Sequence, residues 1–244
     1  MSTEPNFTNT IEEWSNFFIP LSDGVQLAAR AWLPTNAIEQ PVPAILEYIP
    51  YRKRDGTAIR DEQMHPYWAA FGYACVRVDM RGCGESDGLL IDEYLQQELE
   101  DAVEVIGWLA QQDWCSGKVG MMGKSWGGFN SLQVSALRPT ALKAIITVCS
   151  TDDRYADDIH YRGGALLTEN FSWASTMSCY MAKAPDPLLL PETWREHWLE
   201  RLQNMPLLAK NWLEHTYKDA YWKHGSINED YSAIEAAVYC VGGW

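Results

Sequence analysis

A chain of 244 residues is long enough to bury a substantial core, as one large domain or as a domain carrying an insertion. Its composition, 47% hydrophobic and 21% charged, is that of a globular protein, and no apolar run reaches the length of a membrane span. A formal net charge of −14 sets the chain against nucleic acid and anionic membrane surfaces as partners, and the opening MSTEPNFTNTIEEW lacks the pattern of a secretory leader, so a cytoplasmic protein is expected.

Residues 16–33, NFFIPLSDGVQLAARAWL, read as a hairpin around Ser22-Asp23-Gly24, because Asp-Gly between apolar runs suits a tight turn. AILEYI (44–49) and ACVRVDM (74–80) are apolar runs of the kind that forms strands buried on both faces. Between 92 and 112 the period becomes helical: Leu95, Leu99, Ala102, Val103, Ile106, Leu109 and Ala110 share a stripe, with Glu98, Glu100, Asp101 and Glu104 mostly on the other side. A strand over 118–123, a helix over 126–138 and a strand over 142–150 follow. This alternation predicts an α/β fold with a mostly parallel sheet. Residues 151–230 contain no convincing strand and several prolines. They read as a helical cap insertion, with Trp194, Trp198, Leu202 and Met205 along one stripe. AAVYCVGG (236–243) is the return strand. The expected organisation is therefore 1–150 core, 151–230 cap and 231–244 return to the core. The six cysteines, with no C-x-x-C pair, are expected to be buried free thiols. The five histidines form no metal-ligand spacing.

The chemistry centres on Gly123-Lys124-Ser125-Trp126-Gly127, a G-x-S-x-G pentapeptide with a strand before it and a helix after it. The glycines two before and two after remove side chains that would collide at a sharp turn, so Ser125 is the expected nucleophile. The backbone N–H of Trp126 is the expected oxyanion donor. A second donor should come from the loop after the third strand, YIPYRKRDG. There Tyr51 either aims its hydroxyl at the developing charge or serves as an aromatic lid over the core. Asp152 and Asp153 follow the next strand, where some α/β hydrolases carry the catalytic acid. Capping the start of the insertion is the preferred reading. The base follows the acid in the chain order of this fold, so none of His65, His160, His197, His215 and His224 is assigned to a triad. Each is expected to be a surface or cap residue. Trp173, in the insertion, is a candidate wall of the substrate pocket.

From SDGVQLAARAWLP through YIPYRKRD and VRVDMRGCGESDG to GKSWGG, and again in DAYWKHGSINEDYSAI and VYCVGGW, the chain resembles the N-terminal hydrolase domain of the cocaine esterase and X-prolyl dipeptidyl-peptidase (CocE/NonD) family. That family also includes glutaryl acylases and α-amino-acid ester hydrolases. The resemblance implies an α/β-hydrolase fold and a serine hydrolase that cleaves an ester or amide through an acyl-enzyme. Ser125 is then the nucleophile, and Tyr51 and the Trp126 amide form the oxyanion hole. It implies no cofactor and no metal, a small ester or peptide substrate, and a structural role for Asp79, Arg81 and Gly82. It also places the catalytic acid and histidine after Trp244. On that ground the alternative is a catalytically incompetent fragment, or a non-enzymatic ligand-binding module on a hydrolase scaffold. Homo-oligomerisation is left open.

Overall fold

The computed structural model describes residues 9–243, so the opening residues and Trp244 lie outside the described part. Strand β1 (Ile11–Pro20) turns at Ser22-Asp23-Gly24 into β2 (Gln26–Pro34) as an antiparallel hairpin. The corner closes because Gly24 takes φ +92° and Asp23 Oδ1 accepts the Val25 N–H at 3.0 Å. Then come β3 (Val42–Ile49), helix α1 (Ala58–Ala70), β4 (Ala74–Asp79), α2 (Gln96–Ala110), β5 (Cys115–Lys124), α3 (Trp126–Ala136) and β6 (Leu142–Val148). The seven-stranded sheet has the order β1-β2-β4-β3-β5-β6-β9, where β9 spans Ala237–Val241. From β4 to β9 every pairing is parallel, as helical crossovers require.

Helix α1 has no counterpart in the sequence reading. Its core-facing side carries Asp61 and His65 along with Ala69 and Ala70, and Pro66 lies within it, so an apolar stripe is missing. Helix α2 begins at Gln96 and turns Leu99, Ala102, Val105, Ile106 and Leu109 inward as expected. Glu98 and Asp101 are also buried, contrary to the expectation that they lie on the outer side. Each has a strong donor there: the Trp126 indole for Glu98, and the fork of Arg81, at 2.8 Å on both oxygens, for Asp101.

Residues 151–230 form helices α4 (Glu169–Met181), α5 (Trp194–Asn204), α6 (Leu208–Glu214) and the short α7 (Ala220–Lys223). A small antiparallel ladder precedes them, β7 (Tyr161–Arg162) with β8 (Ala165–Leu166), in a stretch where no strand was expected. The helices close on Trp212 and Trp222, both fully buried. On α5, Trp194 and Trp198 stack at 6.1 Å, while Met205 falls just past the last turn. Cys75, Cys83 and Cys115 are buried thiols, but Cys149, Cys179 and Cys240 are exposed. The last two stand on the outer side of α4 and on strand β9. No helix among the described residues is long and apolar enough to cross a membrane.

Candidate active site

The site grows from the end of β5. Ser125 joins β5 to α3 with φ 56° and ψ −119°, a conformation that costs an L-residue energy and persists only when its surroundings fix it. Its N–H donates to Val148 O on β6 at 2.9 Å, and its carbonyl accepts the N–H groups of Gly128 and Phe129 at 2.7 and 2.9 Å. The turn leaves no room for a side chain at Gly123, where a Cβ would lie 2.5 Å from the Gly127 backbone. A Cβ at Gly127 would meet Ile49 Cγ2 at 2.8 Å. Ser125 itself is exposed.

Tyr51 arrives from the neighbouring strand. In the β3–β5 pairing Leu46 stands opposite Met121, and the two parallel strands end at Ile49 and Lys124. Tyr51 lies two residues past the end of β3, and Ser125 directly follows β5. The Tyr51 hydroxyl has both the Ser125 hydroxyl and the Trp126 backbone amide within hydrogen-bonding reach. Burial pushes its pKa far above the usual phenol value, and those two hydrogen bonds offset only part of the rise, so at neutral pH the hydroxyl is a neutral donor. Its ring is held by Tyr180 and Trp173 of α4 at 5.6 and 6.2 Å and by Trp126 at 6.5 Å. The structure thus brings together the four residues singled out in the sequence: Ser125, Tyr51, Trp126 and Trp173.

Two buried carboxyl groups that were not singled out support them. Glu98 accepts the Trp126 indole N–H at 2.8 Å and the Tyr94 amide at 2.8 Å. Glu93 accepts the Trp173 indole N–H at 2.6 Å, while its other oxygen meets His160 Nε2 at 2.8 Å and Arg154 at 3.3 Å. His160 also pairs with Asn170 at 2.7 Å. His65, on α1, is fully buried and neither a surface residue nor in 151–230, and His160, within 151–230, is fully buried as well. A carboxylate partner makes such burial tolerable, and His65 has Glu47 at 3.1 Å. His197 lies 3.9 Å from Asp87, His215 pairs with Asp219, and His224 bonds Tyr94 O. Among the described residues, none of the five histidines hydrogen-bonds Ser125.

Asp153 caps a turn, accepting the amides of Tyr155 and Ala156, and also holds Lys218. Asp152 accepts the Tyr231 hydroxyl. Two trios, Glu47–Asp61–His65 and Glu93–Asp158–His160, gather potential metal ligands that the sequence spacing did not suggest. Arginines contact three of the four carboxylates: Arg60 meets Glu47 and Asp61 at 2.6 Å, and Arg154 meets Glu93 at 3.3 Å. The expected structural roles of Asp79, Arg81 and Gly82 fit their places. Asp79 accepts the Lys53 amide at 2.9 Å, and Gly82 turns at φ +77° against the backbone of Leu89 and Leu90.

The sequence model of the X-Pro dipeptidyl-peptidase (S15) family matches residues 23–244. The chain belongs to this S15 family. It is 34% identical to the cocaine esterase of a Rhodococcus species over 94% of its own length and 43% of that protein's. It is 31% identical to a putative Xaa-Pro dipeptidyl-peptidase of Streptomyces avermitilis over 43% of this chain and 17% of that one. The chain thus spans less than half the length of these curated relatives. Among solved structures, it superposes on an α-amino acid ester hydrolase with a TM-score of 0.69 at 21% identity, covering 100% of this chain and 46% of the other. A CocE/NonD family hydrolase from Staphylococcus aureus matches with a TM-score of 0.67 at 21% identity, covering 92% and 39%. The fold of this S15 chain is that of the α/β hydrolases.

Proposed function

We propose that the chain carries the nucleophile and oxyanion hole of a serine hydrolase that cleaves esters or amides through an acyl-enzyme. The observation that carries this reading is the strained, exposed Ser125 between β5 and α3, with the Tyr51 hydroxyl facing both its hydroxyl and the Trp126 amide. Ser125 Oγ attacks the acyl carbonyl, and a histidine base takes its proton. The carbonyl oxygen, now negative, sits between the Tyr51 O–H and the Trp126 N–H. Collapse expels the alcohol or amine, which takes the proton back, and water then releases the acid by the same route. A preorganised donor of this kind contributes roughly 3 to 4 kcal/mol to the transition state.

In this reading residues 1–150 and 231–244 belong to the hydrolase core, and 151–230 are a cap whose helix α4 walls the acyl site with Trp173. Esterase, acylase and X-prolyl dipeptidyl-peptidase chemistry share the machinery, and the cap surface selects among them. The test is labelling of the natural full-length protein with a fluorophosphonate, alongside hydrolysis of a chromogenic short-chain ester. Both signals should vanish in Ser125→Ala at unchanged melting temperature. Retention of either one at full strength would remove Ser125 from the role.

A further inference from the structure

The residues after Tyr51, Arg52-Lys53-Arg54, look like a solvated basic run, but they are fastened to three different parts of the protein. Lys53 is fully buried; its ammonium donates to Asn16 Oδ1 at 2.7 Å and Glu85 Oε2 at 2.8 Å, and its amide to Asp79. Arg54 reaches Asp186 at 3.1 Å. Arg52, only 5% exposed, donates from Nε to Asp55 Oδ1 at 2.8 Å. Its Nη1 and Nη2 donate to the carbonyls of Lys183 and Ala184 at 3.3 and 2.8 Å. Those carbonyls lie directly past the C-terminal end of α4, where a cation complements both the helix dipole and the free carbonyls. Asp55 is tied to the same place by Lys183 Nζ at 2.8 Å.

The backbone explains what this fastening is for. Arg52 has φ 61°, a left-handed conformation that an arginine does not adopt by preference, and it adopts it immediately after Tyr51. Its carbonyl accepts the amides of Gly56 and Thr57 at 3.0 and 3.2 Å, winding residues 51–57 into a tight loop. A Cβ at Gly56 would collide with the Tyr51 carbonyl oxygen. Relaxing Arg52 to negative φ would swing the two sides of the loop relative to each other. Since Lys53 is anchored below, the side that would move is Tyr51.

We propose that Arg52 is a positioning residue for the oxyanion donor: its fork on the end of α4 locks the left-handed turn behind Tyr51, so the helix that carries Trp173 and Tyr180 also sets the aim of the Tyr51 hydroxyl. This rests on the reading of Ser125 and Tyr51 proposed above.

The test is a double-mutant cycle in the natural full-length protein, reading kcat and KM on a chromogenic ester, with melting temperatures alongside. Ala at position 52 lacks the fork and, like arginine, disfavours the left-handed turn. Arg52→Ala is expected to lower kcat by about 10- to 100-fold, with KM nearly unchanged, the scale of loss from a misplaced reacting group. Tyr51→Phe should lower kcat by about 100- to 1000-fold. In the Tyr51→Phe background Arg52→Ala should then cost almost nothing further, because the donor it aims is gone. Arg52→Lys, which keeps the charge but not the two-pronged geometry, reads the same cycle if the Ala variant folds poorly. An equal loss in both backgrounds, or a rise in KM alone, would make Arg52 a merely structural contact and overturn the inference. Full activity of Tyr51→Phe by itself would instead bring down the oxyanion reading beneath it, so the two failures are told apart.

Discussion

Glu98 offers a test of how the site is held that does not depend on turnover. Its carboxyl group is buried under α3, and burial pushes its pKa from the ordinary 4.5 up to about 8, although hydrogen bonds from the Trp126 indole, the Tyr94 amide and Asn130 favour the ionised form. The folded state therefore holds a proton that the unfolded state releases near pH 4.5. Stability from this group is full below the unfolded pKa and is lost as pH rises through the folded one. Across pH 5 to 8 the loss is about 3 to 4 kcal/mol for a group ionising at 4.5 unfolded and about 8 folded. Glu98→Gln removes the titration while leaving a carbonyl oxygen for the indole. Urea unfolding at several pH values should give a wild-type stability that falls more steeply with pH than that of the variant, the difference growing by the amount above. Asp158, raised to about 6 by burial and by Glu93, titrates in the same window in both proteins and cancels in the comparison. Parallel pH profiles for the two proteins would refute the reasoning, because they would mean that Glu98 is ionised in the folded state throughout and that its hydrogen bonds outweigh its burial.

Two further substitutions probe the turn itself. Ser125→Gly should abolish fluorophosphonate labelling yet raise the unfolding free energy by about 1 kcal/mol, since glycine adopts φ 56° without strain; an unchanged or lower stability in urea unfolding would argue against stored strain at that position. Gly123→Ala places a methyl group 2.5 Å from the Gly127 backbone and should cost about 1 to 3 kcal/mol, with labelling of Ser125 reduced in the protein that still folds; wild-type stability and labelling would show that the turn has slack.

The parts of the molecule that could be read from the sequence are those whose signals are local. The switch from strand to helix around Gly123 and Gly127 marks the Ser125 turn within a dozen residues. The Asp23-Gly24 corner, the apolar strands and the prolines between residues 151 and 230 are equally short-range. Tyr51 is different: by itself it reads equally well as a lid, and only the family resemblance favoured the donor role. What brings it to Ser125 is the parallel pairing of β3 with β5, two strands separated in the chain by β4 and two helices. The polar interior was not legible because a buried charge is stable only through a partner, and the partners are remote: Glu93 meets His160 67 positions away, and Trp126 meets Glu98 28 positions away. Hydropathy assigns every such residue to the surface, which is why His65, Glu98 and the whole of α1 were misjudged or missed. A signal for Glu98 and Asp101 was nonetheless present, since they are spaced i, i+3 along the flank of the stripe formed by Ala102, Val105 and Leu109. Helical geometry places them at the core boundary, whatever their charge. An acidic residue forced to that boundary needs a donor, and in a chain whose next element opens with Ser125-Trp126 the indole of Trp126 is one the fold can supply. The acid that seemed to mark the outside of α2 is thus the group that fixes the residue next to Ser125.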